Sequence, residues 1–165
     1  MKSRENFLSK DDYIIAQYLM TTYPYGSVSS NYNGCGWIAA YNLVHGIGLN
    51  FPYMDVYEDM LRILPYKGMA GTPTRTLHKY LSSKQISYIK TRGKQRILEH
   101  SEGCSAGVIR YLESFEPHYV TFIKLEDNKF RFLNIKQGKE DIIMTMEEFL
   151  KVHCPIPYVK ATIVK

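Results

Sequence analysis

The first half of the chain alternates apolar patterns of helical period with stretches of turn-forming residues. An apolar pattern over residues 14–19 follows Ser9 and two aspartates, which predicts a helix with acidic residues in its first turn. Residues 23–34 are rich in Ser, Asn, Tyr and Gly and predict an irregular surface loop. Further helices are predicted over residues 35–44, over residues 54–64 up to Pro65, and from Thr72 through Leu81.

The second half changes to the shorter period that is typical of strands. Residues 126–129, Glu-Asp-Asn-Lys, predict a hairpin turn between two of these strands. Thr145 and Glu148 form a capping-box pattern that opens a short helix through residue 152, and residues 94–100 predict a helical turn. Strands are predicted over residues 86–89, 107–112, 118–125, 130–135, 142–144 and 159–164. Helices followed by antiparallel strands predict an α+β fold.

Composition fits one folded domain over residues 1–165. The chain has 165 residues, of which 45% are hydrophobic and 22% charged, enough for a sizeable core. The formal net charge is +5, but the Lys and Arg residues are scattered, with no run longer than two. We therefore interpret them as a solvated basic exterior and expect no nucleic-acid partner.

The three cysteines, Cys35, Cys104 and Cys154, are an odd number without paired spacing, so a disulfide framework is not expected. Their spacing also fits no metal site, and no metal or organic cofactor is implied. The first twelve residues lack the apolar stretch of a signal peptide, and no later segment is long enough to span a bilayer. We expect a cytoplasmic protein.

Cys35 is the strongest candidate for chemistry, since it stands where a turn-forming stretch becomes an apolar helix. A helix N-terminus stabilises a thiolate, and a nearby imidazole completes the nucleophilic pair. His118 opens a predicted strand and Asn134 closes the next, 16 residues later. A hairpin between them makes these two residues candidates for cross-strand neighbours at ~5 Å, the spacing an imidazole and its orienting amide need.

Five short motifs follow one another along residues 31–152. The first two are Cys35-Gly36, at the start of an apolar helix, and Gly71-Thr72, at the start of the helix predicted through Leu81. The other three are Pro117-His118-Tyr119-Val120, Asn134-Ile135-Lys136-Gln137-Gly138, and Glu147-Glu148-Phe149. Their order and spacing resemble the papain-like double-glycine leader peptidase family, best known at the N-terminus of bacteriocin and peptide exporters. The resemblance implies a papain-like fold, with N-terminal helices packed on a C-terminal antiparallel sheet and an active cleft between them.

By the same resemblance, Cys35 would be the nucleophile, His118 the general base and acid, and Asn134 the orienting residue. The substrate would be a peptide or protein, and a separate export transporter is a possible partner. The sequence departs from the family at Ser29, where the family carries a Gln that serves as oxyanion donor, and at Gly34, where it has Asp or Asn. Asn33 or Asn31, together with the Cys35 backbone N–H, are candidate replacements for that donor.

Several alternatives stay open. Trp37 and Tyr119 are candidates to wall a narrow cleft that favours glycine before the scissile bond, although either ring could face the core instead. Asn31 and Asn33 could be plain turn residues. Deamidation or transamidation of glutamine would use the same catalytic residues as a peptidase. A function of another class, a catalytically silent peptide-binding module, is favoured by the missing Gln at position 29.

Overall fold

The computed structural model describes residues 5–135 and 141–165. In these residues a six-stranded antiparallel sheet has the strand order β3-β8-β4-β5-β6-β7, and a separate two-stranded ribbon pairs β1 with β2. The strands are β1 (Pro24–Tyr25), β2 (Val28–Ser29), β3 (Ile89–Arg92), β4 (Ala106–Glu113), β5 (Glu116–Lys124), β6 (Lys129–Leu133), β7 (Asp141–Thr145) and β8 (Lys160–Val164).

Helices cover both faces of the sheet. The described helices are α1 (Ser30–Asn33), α2 (Cys35–Gly46), α3 (Tyr53–Arg62), α4 (Thr74–Ser83), α5 (Lys94–Ser101) and α6 (Met146–Val152), with 3₁₀ turns at Gln17–Leu19 and Pro65–Gly68. Buried residues of α2, α3 and α4 share one core with Val108 and Tyr119 of the sheet. Buried residues of α5 and α6 share the second core with Ile109 and Phe122 on the opposite face.

The central helix α2 lies between α3 and the sheet, and its whole run from Cys35 to Val44 is buried. Such a helix shows no polar face because it is covered on all sides. In contrast, α3 and α4 each present one apolar face to α2 and one polar face to water. The sequence predicted all three of these helices, with ends that differ by about two residues.

The helix predicted over residues 14–19 is wrong. Only the 3₁₀ turn Gln17–Leu19 forms there, while Ile14 makes an isolated bridge with Leu8. The predicted irregular loop also contains more structure than expected, namely β1, β2 and α1. The first predicted strand lies three residues later than expected, at Ile89–Arg92.

The strand half of the prediction is confirmed in outline. The hairpin turn occurs as predicted, with Asp127 and Asn128 at φ values of 56° and 58°, the left-handed conformation that a tight hairpin turn requires. The capping box is also confirmed, since the Thr145 side chain accepts from the Glu148 backbone N–H. The α+β class is therefore confirmed. Residues 136–138 of the fourth family-like motif lie outside the described residues.

Candidate active site

Cys35 is the first residue of α2 and lies at the edge of the core, with 8% of its surface exposed. The short helix α1 leads into it through Gly34. Gly36 permits Thr72 to pack against the first turn of α2, because a Cβ at Gly36 would lie 2.3 Å from the Thr72 side chain. The helix start and this close packing fix the sulfur at the end of the helix.

His118 lies near the start of β5, with 6% of its surface exposed. Its Nε2 is 2.9 Å from the backbone carbonyl oxygen of Asn134. A carbonyl oxygen can only accept, so Nε2 carries the proton, and the neutral ring has its acceptor at Nδ1. The ring also meets Tyr111 edge to face, with centroids 5.9 Å apart. These contacts hold one ring orientation and one tautomer.

The prediction for Asn134 needs a correction, because its side-chain amide was expected to orient the imidazole of His118 and instead bonds another residue. The last paired residues of β5 and β6 are Thr121 and Leu133, so Asn134 lies beyond the ladder rather than opposite His118. Its φ of 64° turns the backbone, and the backbone carbonyl meets the ring. Its side-chain amide bonds Gln17 instead, accepting from the backbone N–H at 3.3 Å and donating to Oε1 at 2.9 Å.

Gln17 is a site residue that the sequence analysis missed. It is buried, and its Nε2 donates to the carbonyl oxygens of Ser30 at 2.9 Å and Asn31 at 3.3 Å. These bonds and the two with Asn134 form what we call the Gln17 network. It joins the turn after β6 to α1, which directly precedes Gly34 and Cys35. The sequence offers one sign that Gln17 is buried, namely that its side-chain amide directly follows the apolar residues Ile14, Ile15 and Ala16.

Two cavities meet at Cys35. The first encloses about 130 Å³ and brings the thiol together with the imidazole; it is lined by Gln17, Tyr18, Asn31, Tyr32, Cys35, Glu116, Pro117, His118, Asn134 and Ile135. The second encloses about 380 Å³ and is lined by Tyr32, Asn33, Cys35, Met69, Ala70, Gly71, Thr72, Arg110, Glu116, Pro117 and Tyr119. Because the two cavities share Tyr32, Cys35, Glu116 and Pro117 in their linings, we describe them together as one cleft.

The two candidate oxyanion residues differ in their partners. The Asn33 side-chain nitrogen donates to the Gly68 carbonyl oxygen at 2.5 Å, which ties it to the loop before α4. Asn31 lines the first cavity, and its Oδ1 accepts from the Ser29 hydroxyl. Ser29, at the position where the family carries Gln, is thus engaged with Asn31. Both asparagines therefore line a cavity together with Cys35, and the side-chain nitrogen of Asn33 is engaged with the Gly68 backbone.

Of the two aromatic candidates for the cleft wall, one lies in the core and the other lines the cleft. The prediction that Trp37 lines the cleft is wrong, because its ring is fully buried, packs on Tyr57 and donates to the Ser30 hydroxyl at 3.0 Å. Since α2 is covered on all sides, the residue two positions after Cys35 turns into the core. Tyr119 lines the second cavity, and its hydroxyl donates to the Thr72 carbonyl oxygen at 2.8 Å.

The phenols around the thiol stay protonated. Burial raises the pKa of Tyr119 to about 12, with a smaller contribution from Cys35. The same two causes also raise the pKa of Tyr25 above its ordinary value. The other two cysteines are buried and free; burial raises the pKa of Cys104 and raises that of Cys154 to about 12. Both are therefore poor nucleophiles at neutral pH.

Within the described part of the chain, no three His, Cys, Asp or Glu side chains lie close enough together to hold a metal ion. No helix among residues 5–135 and 141–165 combines the length and apolar character that crossing a membrane requires.

No family model and no curated protein matches the sequence. Solved structures do match the fold. The peptidase domain of Streptococcus ComA, a bifunctional ABC transporter involved in a quorum-sensing pathway, superimposes with a TM-score of 0.58 at 10% identity, over 81% of this chain and 92% of that one. A double-glycine motif protease from an AMS/PCAT transporter, solved with its leader peptide, gives a TM-score of 0.54 at 16% identity, over 79% and 84% of the two chains.

Both matches span most of this chain and most of the neighbour, so the likeness covers the whole fold rather than a shared motif. At such low identity the likeness establishes the fold alone. The chain therefore has the papain-like fold of the double-glycine leader peptidase domains, which is the fold that its sequence motifs predicted.

Proposed function

We propose that this chain is a cysteine peptidase that cleaves a peptide bond by acyl transfer to Cys35. One observation carries the proposal. The thiol of Cys35 and the imidazole of His118 line the same cavity, and the Asn134 carbonyl fixes the tautomer of the imidazole. A nucleophile, a base and a group that orients the base are the parts that thiol acyl transfer needs.

The thiolate forms when Nδ1 of His118 takes the proton of Cys35. The start of α2 favours the negative sulfur through its backbone N–H groups and the helix dipole. The resulting imidazolium keeps its Nε2–H bond to the Asn134 carbonyl oxygen, an interaction that is stronger for a charged donor than for a neutral one. The carbonyl thus stabilises the charged form of the ring as well as its orientation.

In the first half of the reaction the sulfur attacks the scissile carbonyl carbon, and a C–S bond forms. The C–N bond then breaks, and the leaving amine takes the proton from His118. In the second half His118 accepts a proton from water, whose oxygen attacks the thioester. The C–S bond breaks, the acyl group leaves as a carboxylic acid, and Cys35 regains its thiol.

The oxyanion of each tetrahedral intermediate needs donors beside the sulfur. We assign the Cys35 backbone N–H and the side-chain amide of Asn31, which lines the first cavity. Asn33 is the weaker candidate, since its amide nitrogen donates to Gly68. Loss of a side-chain oxyanion donor lowers turnover by ~100-fold or more in other acyl-transfer enzymes.

The proposed substrate is a leader peptide cut after glycine, with a separate export transporter as partner and the reducing cytoplasm as location. Support comes from the neighbours, which include a transporter-borne peptidase domain and a double-glycine protease solved with its leader. The buried Tyr119 and the exposed Tyr32 both line the second cavity together with Cys35. We expect these two rings to leave room beside the thiol for a residue without a side chain.

The test uses a panel of peptides that differ only at the residue before the scissile bond. We expect the wild type to cleave the glycine peptide best, whereas Cys35→Ala should be inactive and folded, since losing one sulfur costs roughly 1 kcal/mol. Cys104→Ala, another buried cysteine replaced in the same way, should keep full activity. Mass spectrometry of the products and thermal unfolding of each variant measure this.

Iodoacetamide labelling at mildly acidic pH separates the peptidase from a silent peptide-binding module, which the engaged Ser29 hydroxyl favours. An activated thiol reacts there, and Cys104 and Cys154, whose pKa values are raised, do not. Unlabelled Cys35, together with intact peptides, would identify the silent module. Label at Cys35 with release of ammonia from glutamine peptides, but no cleavage, would instead identify a deamidase.

A further inference from the structure

Three cations lie side by side across three strands of the sheet. Arg92 of β3 pairs with Lys160 of β8, and Lys160 pairs in turn with Arg110 of β4. Directly paired residues project from the same face, and like charges in such pairs destabilise a sheet. No ion pair to a carboxylate is found for any of the three among the described residues. This basic row therefore costs folding stability when nothing is bound to it.

The three side chains converge on the ring of Tyr158. Lys160 Nζ lies 5.2 Å from the ring centroid, and the guanidinium carbons of Arg92 and Arg110 lie at 5.8 and 5.9 Å. An Arg110 nitrogen also donates to the Tyr158 hydroxyl at 3.3 Å. Hydrogen bonds from Lys160 and Arg110 lower the pKa of that hydroxyl, which is a sign of positive potential at this surface.

The basic row begins in the proposed catalytic cleft and extends away from it along the sheet. Arg110 lines the second cavity together with Cys35, and its buried Nε has no hydrogen-bond partner among the described residues. Arg92 and Lys160, the strand partner of Arg110, line another cavity of about 350 Å³, which we call the basic cavity. Lys90 and Arg96 also line the basic cavity, and none of the described residues that line it is a carboxylate. At the end of the row that Arg110 forms, Glu116 also lines the second cavity.

We propose that the basic row binds a short acidic segment of the peptide substrate, adjacent to the bond that Cys35 attacks. This rests on the proposed peptidase function and names the substrate class for the same site. Two strand spacings separate Arg92 from Arg110, a distance of ~10 Å that about three residues of extended peptide cover. The segment therefore carries two or three carboxylates on consecutive or alternate residues.

A peptide fits these observations better than a nucleic acid does. The row ends in the cavity of the nucleophile, and the nucleophile acts on an acyl group, so a chain that follows the row arrives with its backbone at the sulfur. The basic residues also stop after the short extension by Lys90 and Arg96, whereas nucleic-acid surfaces follow a longer phosphate backbone. Nucleic acid is treated as an outcome of the test.

The binding experiment uses the full chain carrying Cys35→Ala, so that cleavage does not interfere. The probes are fluorescent peptides with a central Gly-Gly that carry a short Glu run before it, a Glu run after it, or Gln in place of every Glu. Anisotropy gives each Kd. We expect one of the two Glu peptides to bind roughly tenfold or more tightly than its Gln counterpart, and we expect added salt to reduce this difference.

Charge removal locates the interaction. Arg92→Gln with Lys160→Gln should weaken the preferred Glu peptide roughly threefold to tenfold and leave its Gln counterpart unchanged. Both changes relieve repulsion between paired cations, so folding should be kept. The matched control is Lys10→Gln with Lys151→Gln, which removes the same net charge from exposed positions outside the basic cavity and should leave all Kd values unchanged.

Charge reversal supplies the second variant. Arg92→Glu with Lys160→Glu should invert the preference toward a peptide with Lys in place of Glu. Equal binding of Glu and Gln peptides, or equal losses in the row variant and its control, overturns the proposal. Tighter binding of a single-stranded oligonucleotide than of every Glu peptide also overturns it. Binding is measured with Cys35→Ala and does not depend on cleavage. If the wild type cleaves no peptide, that result counts against the peptidase function, and the Kd values still test the basic row.

Discussion

The carbonyl oxygen that contacts His118 belongs to the main chain of Asn134, so no side-chain substitution removes it directly. The residue matters in two other ways. Its φ of 64° lies in the left-handed region, which Asn and Gly adopt more easily than other residues. Its side chain bonds Gln17. In the proposed mechanism, the group that orients the imidazole is therefore the backbone carbonyl of Asn134 and not its side-chain amide.

This arrangement makes a prediction that compares Asn134→Gly with Asn134→Ala. Glycine keeps the backbone turn, so turnover should fall by less than about tenfold, far from the ~10²–10⁴-fold that general acid–base catalysis contributes. Alanine should destabilise the protein by a further ~1–2 kcal/mol, because its Cβ is strained at this φ. Steady-state kinetics and urea unfolding measure both effects. A glycine variant with turnover lowered by more than ~10²-fold would return the orienting role to the side chain.

Among the elements, the segment before β1 shows why its predicted helix does not form. Ile14 donates its backbone N–H to the Asn42 side chain at 2.9 Å, and its carbonyl accepts from the same side chain at 2.8 Å. Gln17 donates its N–H to Asn134. Partners 28 and 117 residues away take the place of helical bonds. Ile14 is buried as the pattern indicated, whereas Tyr18 and Leu19, which the helical pattern placed on the same buried face, are exposed in the 3₁₀ turn.

The Gln17 network should therefore contribute measurable stability. Gln17→Ala leaves the carbonyls of Ser30 and Asn31 and the amide of Asn134 short of partners, which costs ~1–3 kcal/mol. Turnover should fall as well, since α1 and the turn after β6 hold the two halves of the site. Chemical denaturation and kinetics test this. The control is Gln95→Ala, at an exposed residue whose side chain donates to Glu99 one turn away; it should change stability by no more than ~0.5 kcal/mol. Equal losses in the two variants would contradict the prediction.

The elements that could be predicted from sequence are those with local causes. The start of α2, the capping box of α6 and the Asp127–Asn128 turn each depend on a few neighbouring residues. Cys35 and His118 could be selected as candidates because Cys35 begins α2 and His118 lies near the start of β5. Gln17 and the basic row could not, because both depend on contacts between distant segments. The Asn134 carbonyl was missed because a sequence pattern ranks side chains and not the main chain.

At the scale of the whole molecule, the pairing of strands places side by side basic residues that are scattered along the sequence. Arg92, Arg110 and Lys160 are far apart along the chain, and strand order makes them neighbours. The interpretation of the basic residues as an evenly solvated exterior therefore holds for single residues but misses this face. The same face carries the histidine whose titration should control acid stability.

His78 on α4 is held neutral in the folded protein. Burial, and then the charge of Lys90, lower its pKa from 6.5 to about 4. Its Nε2 lies 2.9 Å from the Thr162 hydroxyl, and its ring stacks on Tyr88. Four cations share its cavity, namely Lys90, Arg92, Arg96 and Lys160. A proton on this ring would therefore add charge to a half-buried, already positive site.

We predict that stability decreases as the pH falls from 6.5 toward 4 and that His78 causes part of this loss. The unfolded chain binds the His78 proton near pH 6.5 and the folded chain only near pH 4, so between these values the unfolded state holds more protons. Acid therefore favours unfolding. His78→Gln should flatten the plot of unfolding free energy against pH, measured by urea denaturation. Lys90→Gln, which removes only the smaller cause, should reduce the slope less; a His78→Gln variant with the wild-type slope would assign the acid sensitivity to other groups.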